Sequence, residues 1–556
     1  MFKKNVKHLQ AGLLSTFAML PQHMQDYIQK SWAGVFYKRV FRKIDEDKFS
    51  VLFSDKKSRP NFPINIFVAL EIMKNLFNWS DEEMISNFHV NLQVCYAVGI
   101  ETLGEVMLSP RTVYYNRSRL INYEERTGVN LFNKVFQEFT QEEIKALGID
   151  TSIQRMDSSM ISSNIKKMSR LEIAIKVLQN FYHDLAREEQ EHLHDRLEDY
   201  VDFEVSNITF KLKNTDIEEK LKKVGELLLY LYTTFQNNKT VNSEKSFLQV
   251  RRILDEQFIV EEDTAVGLKP PDQISSNSLQ NPADDEATFR KKNKTNYQGY
   301  VLNVSETCSK ENKAQLITDI SVYTNNTSDE HILEKRISDL KQRTDVEEMV
   351  VDGGYSGETS ELACETQNVS LIFTGIKGAK LTDGQLGLHD FQFRENSIES
   401  CRQGHKPIST TYKPDTRRHI THFDKEQCGQ CPLWEQCCVQ ERIKFNTLYY
   451  DDQQIRVAKK RQQFLDSEYR VKQNLRPAVE GTISLFKRRS GNGKLRVRGH
   501  KKVRNVIILT AMAINFRRIV AVFDFFWSSF INLLKLKNPP IKVATIAITG
   551  PLDFIC

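Results

Sequence analysis

A single glutamate heads the most basic stretch of the chain. No acidic residue follows Glu480 until Asp524, and eleven lysines and arginines lie between them. A run of cations alone is typical of a solvated surface or of a surface that binds polyanions. A carboxylate inside such a run weakens the attraction for a polyanion. Its presence therefore indicates chemistry on a bound polyanion rather than binding alone.

Two cations share a helix face with Glu480. In the segment RPAVEGTISLFKRR, Arg476 precedes Glu480 by four residues and Lys487 follows it by seven. These spacings place the three side chains on one side of a predicted helix. Pro477 would lie near the first turn of that helix or mark a kink.

Two aspartates follow predicted strands elsewhere in the chain. Residues 149–156 predict a strand that Asp157 closes, and EMVVDGGYSG predicts a strand with Asp352 at its end. Gly353 and Gly354 would let the chain turn sharply beside Asp352. Three carboxylates at strand ends and on a helix could converge at one edge of a sheet.

Carboxylate oxygens are the ligands that hard divalent cations prefer. Two such ions about 4 Å apart can activate a water or a 3′-hydroxyl and stabilise the leaving oxygen. Asp150 competes with Asp157 for the first position, and Asp319 is another acid in a predicted strand. Each acid taken alone is also a common turn residue.

Three segments carry a family resemblance. DSSMISSNI, VVDGGYSG and RPAVEGTISLFK resemble the active-site motifs of bacterial insertion-sequence DDE transposases. In one branch of that family, a helix carries Tyr, two residues, Arg, three residues, Glu, six residues and Lys. Arg476, Glu480 and Lys487 match that spacing, whereas Gln473 stands at the tyrosine position and Tyr469 lies one turn earlier. The resemblance covers roughly residues 60–518.

The resemblance implies a fold and an activity. It implies an RNase H-like catalytic core in which Asp157, Asp352 and Glu480 bind two Mg²⁺ or Mn²⁺ ions. The enzyme would hydrolyse a phosphodiester at the element's ends and then join the freed 3′-OH to target DNA. Its partners would be double-stranded DNA, as terminal inverted repeats and as target, and a second subunit in a homodimer on DNA. The residues expected to bind DNA are Arg476, Lys487, Arg488, Lys494, Arg496, Arg498, Lys501 and Lys502.

Two other functions remain open from the sequence. A catalytically silent DNA-binding regulator derived from a transposase would use the same basic segment. A stand-alone RNase H-like nuclease would use the same acids. Strand-joining products would distinguish a transposase from such a nuclease.

A cluster of cysteines predicts a structural metal site. Cys428 and Cys431 form a C-x₂-C pair, Cys437 follows six residues later and Cys401 stands upstream. Four thiolates can make a closed tetrahedral Zn²⁺ site. Cys438, His405 and His422 are alternative ligands, and reduced thiols or an oxidised pair are the alternatives to zinc.

The elements around these residues predict an α/β fold. An RNase H-like mixed sheet with flanking helices would combine residues 148–165, 288–375 and 465–520. A helical insert and linker would occupy residues 166–287, and a Cys-rich insert residues 376–464. Residues 1–135 predict a helical domain, interpreted as DNA-binding, in which Arg111, Tyr114, Tyr115, Arg117 and Arg119 follow Pro110 at a helix start.

The bulk composition places the protein among globular chains. The chain has 556 residues and a net charge of only +6, so its basicity is local and lies near the C-terminus. The basic and apolar first twenty residues lack a small-residue cleavage site, which favours an ordinary helix over a signal peptide. The apolar segment 519–534, within the predicted tail 521–556, is shorter than the roughly 20 residues that a membrane span requires. These features predict no membrane partner, and the resemblance implies a bacterial cytoplasmic, nucleoid-associated protein.

Overall fold

A computed structural model describes residues 1–9, 15–54, 56–57, 59–261, 265–292, 294–376, 384–489 and 493–522. The chain divides into two compact units. One unit contains residues 1–143 and the described residues from 512 onward. The other contains residues 144–511. Most of the predicted apolar tail lies outside the described residues.

The N-terminal part of the chain is helical. Helix α3 ends at Asn78, whose φ of 57° is left-handed, and the next helix starts with a capping box between Ser80 and Glu83. Pro110 occupies the first turn of α6, where its missing N–H costs no hydrogen bond. The helices here are α1 Gln22–Lys30, α2 Trp32–Arg39, α3 Ile64–Phe77, α4 Asp81–Val90, α5 Leu92–Ala97, α6 Pro110–Thr127 and α7 Leu131–Leu147, with 3₁₀ helices at Lys7–Leu9, Phe41–Lys43 and Glu46–Leu52.

Helix α6 exposes only part of its predicted DNA-contacting set. Tyr114 and Tyr115 are exposed. Arg117 instead turns inward, where its guanidinium lies 2.7 Å from Glu71 and 2.7 Å from Asp81. Its charge is therefore used to join helices within this unit.

The strands of the larger unit form one mixed sheet and three small ones. The strands are β1 Ile153–Ile161, β2 Phe258–Glu261, β3 Ala265–Leu268, β4 Thr288–Lys292, β5 Thr295–Thr307, β6 Ile317–Thr324, β7 Glu348–Val351, β8 Ser370–Phe373, β9 Gln392–Arg394, β10 Ser397–Ser400, β11 Ser409–Lys413, β12 Arg418–Phe423 and β13 Asn446–Asp451. The main sheet follows the path β4-β5-β1-β7-β8, and β6 pairs with β5. Strand β1 is antiparallel to β5 and parallel to β7, and β7 is parallel to β8. The predicted mixed α/β sheet is confirmed.

The remaining helices surround or interrupt this sheet. They are α8 Arg170–Asp184, α9 Arg187–Val201, α10 Val205–Ile208, α11 Asn214–Phe235, α12 Lys245–Gln257, α13 Asp329–Arg343, α14 Glu358–Thr366, α15 Lys425–Gly429, α16 Asp452–Gln463, α17 Ser467–Gln473, α18 Ala478–Arg489 and α19 His500–Val522, with 3₁₀ helices at Val241–Ser243, Pro271–Gln273, Gly353–Tyr355, Leu388–Asp390, Pro414–Thr416 and Trp434–Gln436. Met156 of β1, Val351 of β7 and Leu333 of α13 share one buried core. Helices α8 to α12 enclose a separate core, and so does the Cys-rich segment.

One helix in the described part of the chain, α19, is long and apolar enough to cross a membrane. Of its most apolar 18-residue window, 72% is buried inside the protein. Core helices of globular proteins have this combination of apolar composition and burial.

Candidate active site

Strand pairing places Asp157 beside Asp352. Arg155 of β1 is the parallel partner of Val350 of β7. Two residues further along each chain are Asp157 and Asp352, which therefore lie side by side. Neighbouring strands lie about 4.8 Å apart. The prediction that Asp157 closes its strand is wrong, because β1 continues to Ile161 in antiparallel pairing with β5. Asp157 lies in the middle of β1, at the level where the short strand β7 has already ended.

Helix α18 brings Glu480 to the same edge. Val479, Ile483 and Phe486 are buried, so their face of the helix packs inward. The Thr482 hydroxyl, on the same helix, donates to Glu306 of β5 over 2.7 Å. The Glu480 side chain keeps 66% of its surface exposed.

A buried ion pair fixes this helix to the sheet. Glu306 is fully buried and lies 2.7 Å from the guanidinium of Arg155. Arg155 also donates to the carbonyl of Leu475, just before α18, over 2.7 Å. Strands β1 and β5 and the start of α18 are therefore joined through two side chains that the sequence did not single out.

Arg476 lies among the three predicted catalytic carboxylates. Its guanidinium is 3.0 Å from Asp157, 3.6 Å from Asp352 and 3.3 Å from Glu480. Residues that are up to 323 positions apart in the chain thus meet around one cation (480 − 157). The predicted helix-face relation between Arg476 and Glu480 appears as a direct contact.

Asp157 is the most buried of the three acids. Its side chain is 10% exposed, against 37% for Asp352. Burial raises the pKa of Asp157, and the neighbouring Asp352 carboxylate adds to the rise. The guanidinium of Arg476 and the backbone N–H of Ser158 oppose it. Burial and the neighbouring carboxylate thus favour the neutral form of Asp157, and a nearby cation favours its charged form.

A second layer of polar groups supports the aspartates. The Ser158 hydroxyl donates to Asp329, at the start of α13, over 2.5 Å. Asn303 donates to the hydroxyl of the fully buried Tyr355 over 2.7 Å. Burial raises the pKa of Tyr355, and the carboxylates of Asp329, Asp157 and Asp352 raise it further. Sequence reasoning missed Asp329, because an acid in the first turn of a helix has the ordinary appearance of a helix start.

Gly354 lies tightly between two of these acids. A Cβ on Gly354 would stand 2.7 Å from an Asp352 oxygen and 2.9 Å from an Asp329 oxygen. The backbone N–H of Gly354 also donates to Asp352 over 2.6 Å. The predicted glycine turn thus has a steric reason beside the carboxylates.

The two competing acids lie outside this group. Asp150 accepts the backbone N–H of Ser152 over 2.9 Å, as a turn residue does. Asp319 is buried and accepts hydrogen bonds from Arg336 and Arg343. Burial would raise the pKa of Asp319, but these two guanidinium groups hold it below its ordinary value.

Gln473, which stands where the helix of the DDE transposases carries tyrosine, makes a structural contact in this protein. Gln473 donates to the carbonyl of Phe373, at the end of β8, over 2.7 Å. The Tyr469 hydroxyl accepts the N–H of the same residue over 2.7 Å. Both side chains hold the end of β8.

The predicted DNA-binding cations have varied surroundings. Arg488 is exposed on α18, and Lys487 is half-buried. Lys494, Arg496 and Arg498 are exposed and alternate with the more buried Leu495 and Val497. This segment lies beside the end of β1, because the Ser162 and Asn164 N–H groups donate to the carbonyls of Gly493 and Val497. Lys501 and Lys502 lie in the first turn of α19.

The predicted zinc ligands gather in the Cys-rich segment. Burial raises the pKa of Cys428, and the nearby thiols of Cys437, Cys401 and Cys431 add to the rise. A hydrogen bond with Cys438 lowers the pKa of Cys437 to about 6. The Cys431 N–H donates to the Cys428 carbonyl over 3.1 Å, which closes a tight turn between the two thiols.

Side chains alone do not form a ready metal site. Across the described ranges, no group of three or more His, Cys, Asp or Glu side chains is arranged to hold a metal ion. Around Asp157, Asp352 and Glu480 the guanidinium takes the central position. The donor set nonetheless fits a hard divalent cation, since it consists of carboxylate oxygens that already converge on a positive charge.

A family comparison matches the segment that carries Glu480. Residues 400–520 match the family model described as a transposase DDE domain. This match confirms the resemblance to DDE transposases over the segment that it covers. Neither the curated proteins nor the solved structures gave a match to the chain.

Proposed function

We propose that the protein is an insertion-sequence transposase that cleaves DNA at the element's ends and joins them to target DNA. The observation that supports this most directly is the meeting of Asp157, Asp352 and Glu480 around Arg476. The strand order β6-β5-β1-β7-β8 supports an RNase H-like core. In it, β6–β5 and β5–β1 are antiparallel pairs, and β1–β7 and β7–β8 are parallel pairs.

In this proposal the three carboxylates hold divalent metal ions, Mg²⁺ or Mn²⁺. Bound as a pair, such ions would lower the pKa of the attacking water or 3′-hydroxyl and stabilise the leaving oxygen. The protein's own part is to hold Asp157 and Asp352 side by side on the sheet and to fix Glu480 through the buried Arg155–Glu306 pair. Asp352 is more exposed than Asp157, so the edge that it shares with Glu480 is the side from which DNA would enter.

Cations around the carboxylates would orient the DNA backbone. Arg476 would exchange its carboxylate contacts for a phosphate as metal ions neutralise the acids. Lys487 and Arg488 lie further along the same helix, and Lys494, Arg496 and Arg498 continue the positive surface beyond it. Binding by such phosphate contacts weakens steeply as salt concentration rises. Lys501 and Lys502 complete the proposed set.

A cleavage assay tests the proposal. The genomic flanks of the coding region supply terminal repeats for a labelled duplex, which is incubated with the protein and Mg²⁺. We expect nicking that releases a 3′-OH and then joining of that end to a supercoiled plasmid. Asp157→Asn and Glu480→Gln should abolish both products, whereas Asp150→Asn should not, because Asp150 lies outside the site.

The outcomes separate the alternative functions. Nicking without joining would favour a nuclease. Tight binding without either product would favour a regulator. Full activity of Asp157→Asn would exclude the proposed site. Homodimer formation on two DNA ends is part of the proposal, and light scattering with and without duplex would measure it.

We also propose a structural Zn²⁺ bound by Cys401, Cys428, Cys431 and Cys437. The nearness of these thiols and the turn between Cys428 and Cys431 support it. Elemental analysis of purified protein should give one zinc per chain, and Cys428→Ser should lose it. Cys438→Ser is the matched control and should keep it; the reverse result would assign Cys438 in place of a predicted ligand.

A cytoplasmic, nucleoid-associated location follows from the proposed function. Fractionation of bacterial cells should place the protein with the chromosomal DNA. Recovery with the membrane fraction would contradict this.

A further inference from the structure

A basic hairpin extends the sheet away from the carboxylates. Strands β4 and β5 pair from Thr288 with Gly299 to Lys292 with Thr295, so the Lys292 end of this pair lies beyond the end of β1. Lys291, Lys292 and Lys294 are exposed at this end. No acid among the described residues forms an ion pair with any of the three lysines.

The acids that precede the hairpin are used elsewhere. Asp284 accepts the hydroxyl of Tyr300 over 2.5 Å and the N–H of Gly499 over 3.0 Å. Asp285 lies 2.9 Å from Lys245, and Glu286 accepts the N–H of His500. Asp284 is therefore buried and Asp285 is paired with a lysine, whereas Glu286 is exposed beside the start of α19.

Side-chain contacts brace the hairpin. Arg290 donates to the carbonyls of Asn325 and Thr327, both over 3.0 Å. Asn325 also donates to the Tyr297 carbonyl over 3.1 Å. A charged surface held in this way loses little conformational entropy when a ligand binds.

The register of β5 measures how far the hairpin lies from the candidate active site. Val304 is the partner of Asp157, and Lys294 lies ten residues before it (304 − 294). At 3.3–3.4 Å per residue, this is at most roughly 34 Å along the strand. One helical turn of duplex DNA is about 34–36 Å.

The basic segment 494–498 lies between these two points along the direction of β1. Lys494 pairs with Ser162 in an isolated β-bridge. Ser162 lies five residues after Asp157, on the side towards the hairpin (162 − 157). This corresponds to about 17 Å, or half a helical turn. Carboxylates, basic segment and hairpin thus follow one another along the sheet at intervals of half a turn.

We propose that the β4–β5 hairpin is an arm that binds the phosphate backbone of duplex DNA about one helical turn from the cleaved bond. One turn returns the duplex to the same face, so a straight duplex bound at the carboxylates presents a backbone to the hairpin. The inference rests on the proposed function. It adds Lys291, Lys292 and Lys294 to the DNA-binding residues.

Salt-dependent binding tests the arm without requiring catalysis. The probe is a labelled 40-bp duplex of arbitrary sequence, and fluorescence anisotropy measures its affinity for the full chain at several KCl concentrations. Each phosphate contact contributes about 0.9 to the slope of log K against log salt. Lys291→Gln/Lys292→Gln/Lys294→Gln should therefore reduce the slope by about two to three.

The matched control replaces three exposed lysines elsewhere, two of them at the opposite end of β5. Lys222→Gln/Lys310→Gln/Lys313→Gln removes the same net charge and should leave the slope nearly unchanged. An unchanged slope in the hairpin variant, or an equal loss in the control, would overturn the proposal. If the hairpin variant fails to fold, acetylation of the wild-type protein replaces it: DNA should protect the three hairpin lysines, and the absence of protection would refute the arm.

A second measurement tests the distance. On terminal-repeat DNA, ethylated phosphates about ten nucleotides from the nick should interfere with binding, and this interference should vanish in the hairpin variant. Interference only at the nick would refute the one-turn spacing. Asp157→Asn should abolish nicking while it keeps the wild-type salt slope. Failure of the proposed chemistry is therefore distinguishable from failure of the arm.

Discussion

Replacing Glu306 tests how the candidate active site is held together. Its fully buried carboxylate binds Arg155, whose side chain is only 8% exposed, and accepts the Thr482 hydroxyl. Glu306→Ala would leave a buried guanidinium without its counter-ion. Removing one partner of a buried ion pair costs about 3–5 kcal/mol. Because the pair joins β1, β5 and the start of α18, we expect this loss in those elements first.

Hydrogen exchange measured by mass spectrometry gives a local readout. A loss of about 3 kcal/mol corresponds to exchange on the order of 100-fold faster for the slowest amides of β1 and β5. Glu306→Gln should have a smaller effect, since the amide still accepts hydrogen bonds. Arg155→Met/Glu306→Leu should recover most of the stability, because apolar side chains of similar size can replace a buried ion pair. Wild-type exchange rates in Glu306→Ala would refute the reasoning.

Three further changes test the site and the ion pairs elsewhere in the same unit. Asp319→Asn should lower the free energy of unfolding by about 3–5 kcal/mol at pH 7, because two largely buried guanidinium groups lose their anion. The folded pKa of Asp319 is depressed, so its stabilising contribution is complete above about pH 4 and is lost as the pH falls. Melting temperatures of variant and wild type should therefore converge in acid, and a constant difference would contradict this. Arg476→Gln should bind Mn²⁺ without DNA on the order of tenfold more tightly in titration calorimetry, because a cation no longer competes for the carboxylates; an unchanged Kd would show that Arg476 does not compete. Gly354→Ala should lower cleavage strongly with little change in melting temperature, since its Cβ would displace Asp352. Gly375→Ala is the control and should cleave normally, because its Cβ would have no heavy atom nearer than 4.0 Å.

Local features of the fold followed from the sequence because neighbouring residues determine them. The helix start at Pro110 is where the sequence predicts it. The contact between Arg476 and Glu480 also follows from a spacing of four residues. The assignment of catalytic roles to these residues stays a prediction that the cleavage assay tests.

Contacts between residues far apart in the chain determine the features that could not be predicted from the sequence. The extent of β1 depends on its antiparallel partner β5, and this partner kept Asp157 within the strand. Arg155 and Glu306 are 151 residues apart, and nothing local marks them as a pair. Asp329 faces the site because α13 packs beside the 3₁₀ turn that follows Asp352, a relation without a sequence pattern.

The buried Arg155–Glu306 pair also affects the order of events on the ribosome. Thr482, which donates to Glu306, is translated 176 residues after it. At about 5–20 residues per second, that interval is roughly 9–35 seconds. During this time the nascent sheet carries a polar pair that α18 has not yet covered, and Glu480 has not been made. A partly synthesised chain therefore lacks both the third candidate carboxylate and the helix that covers the buried pair.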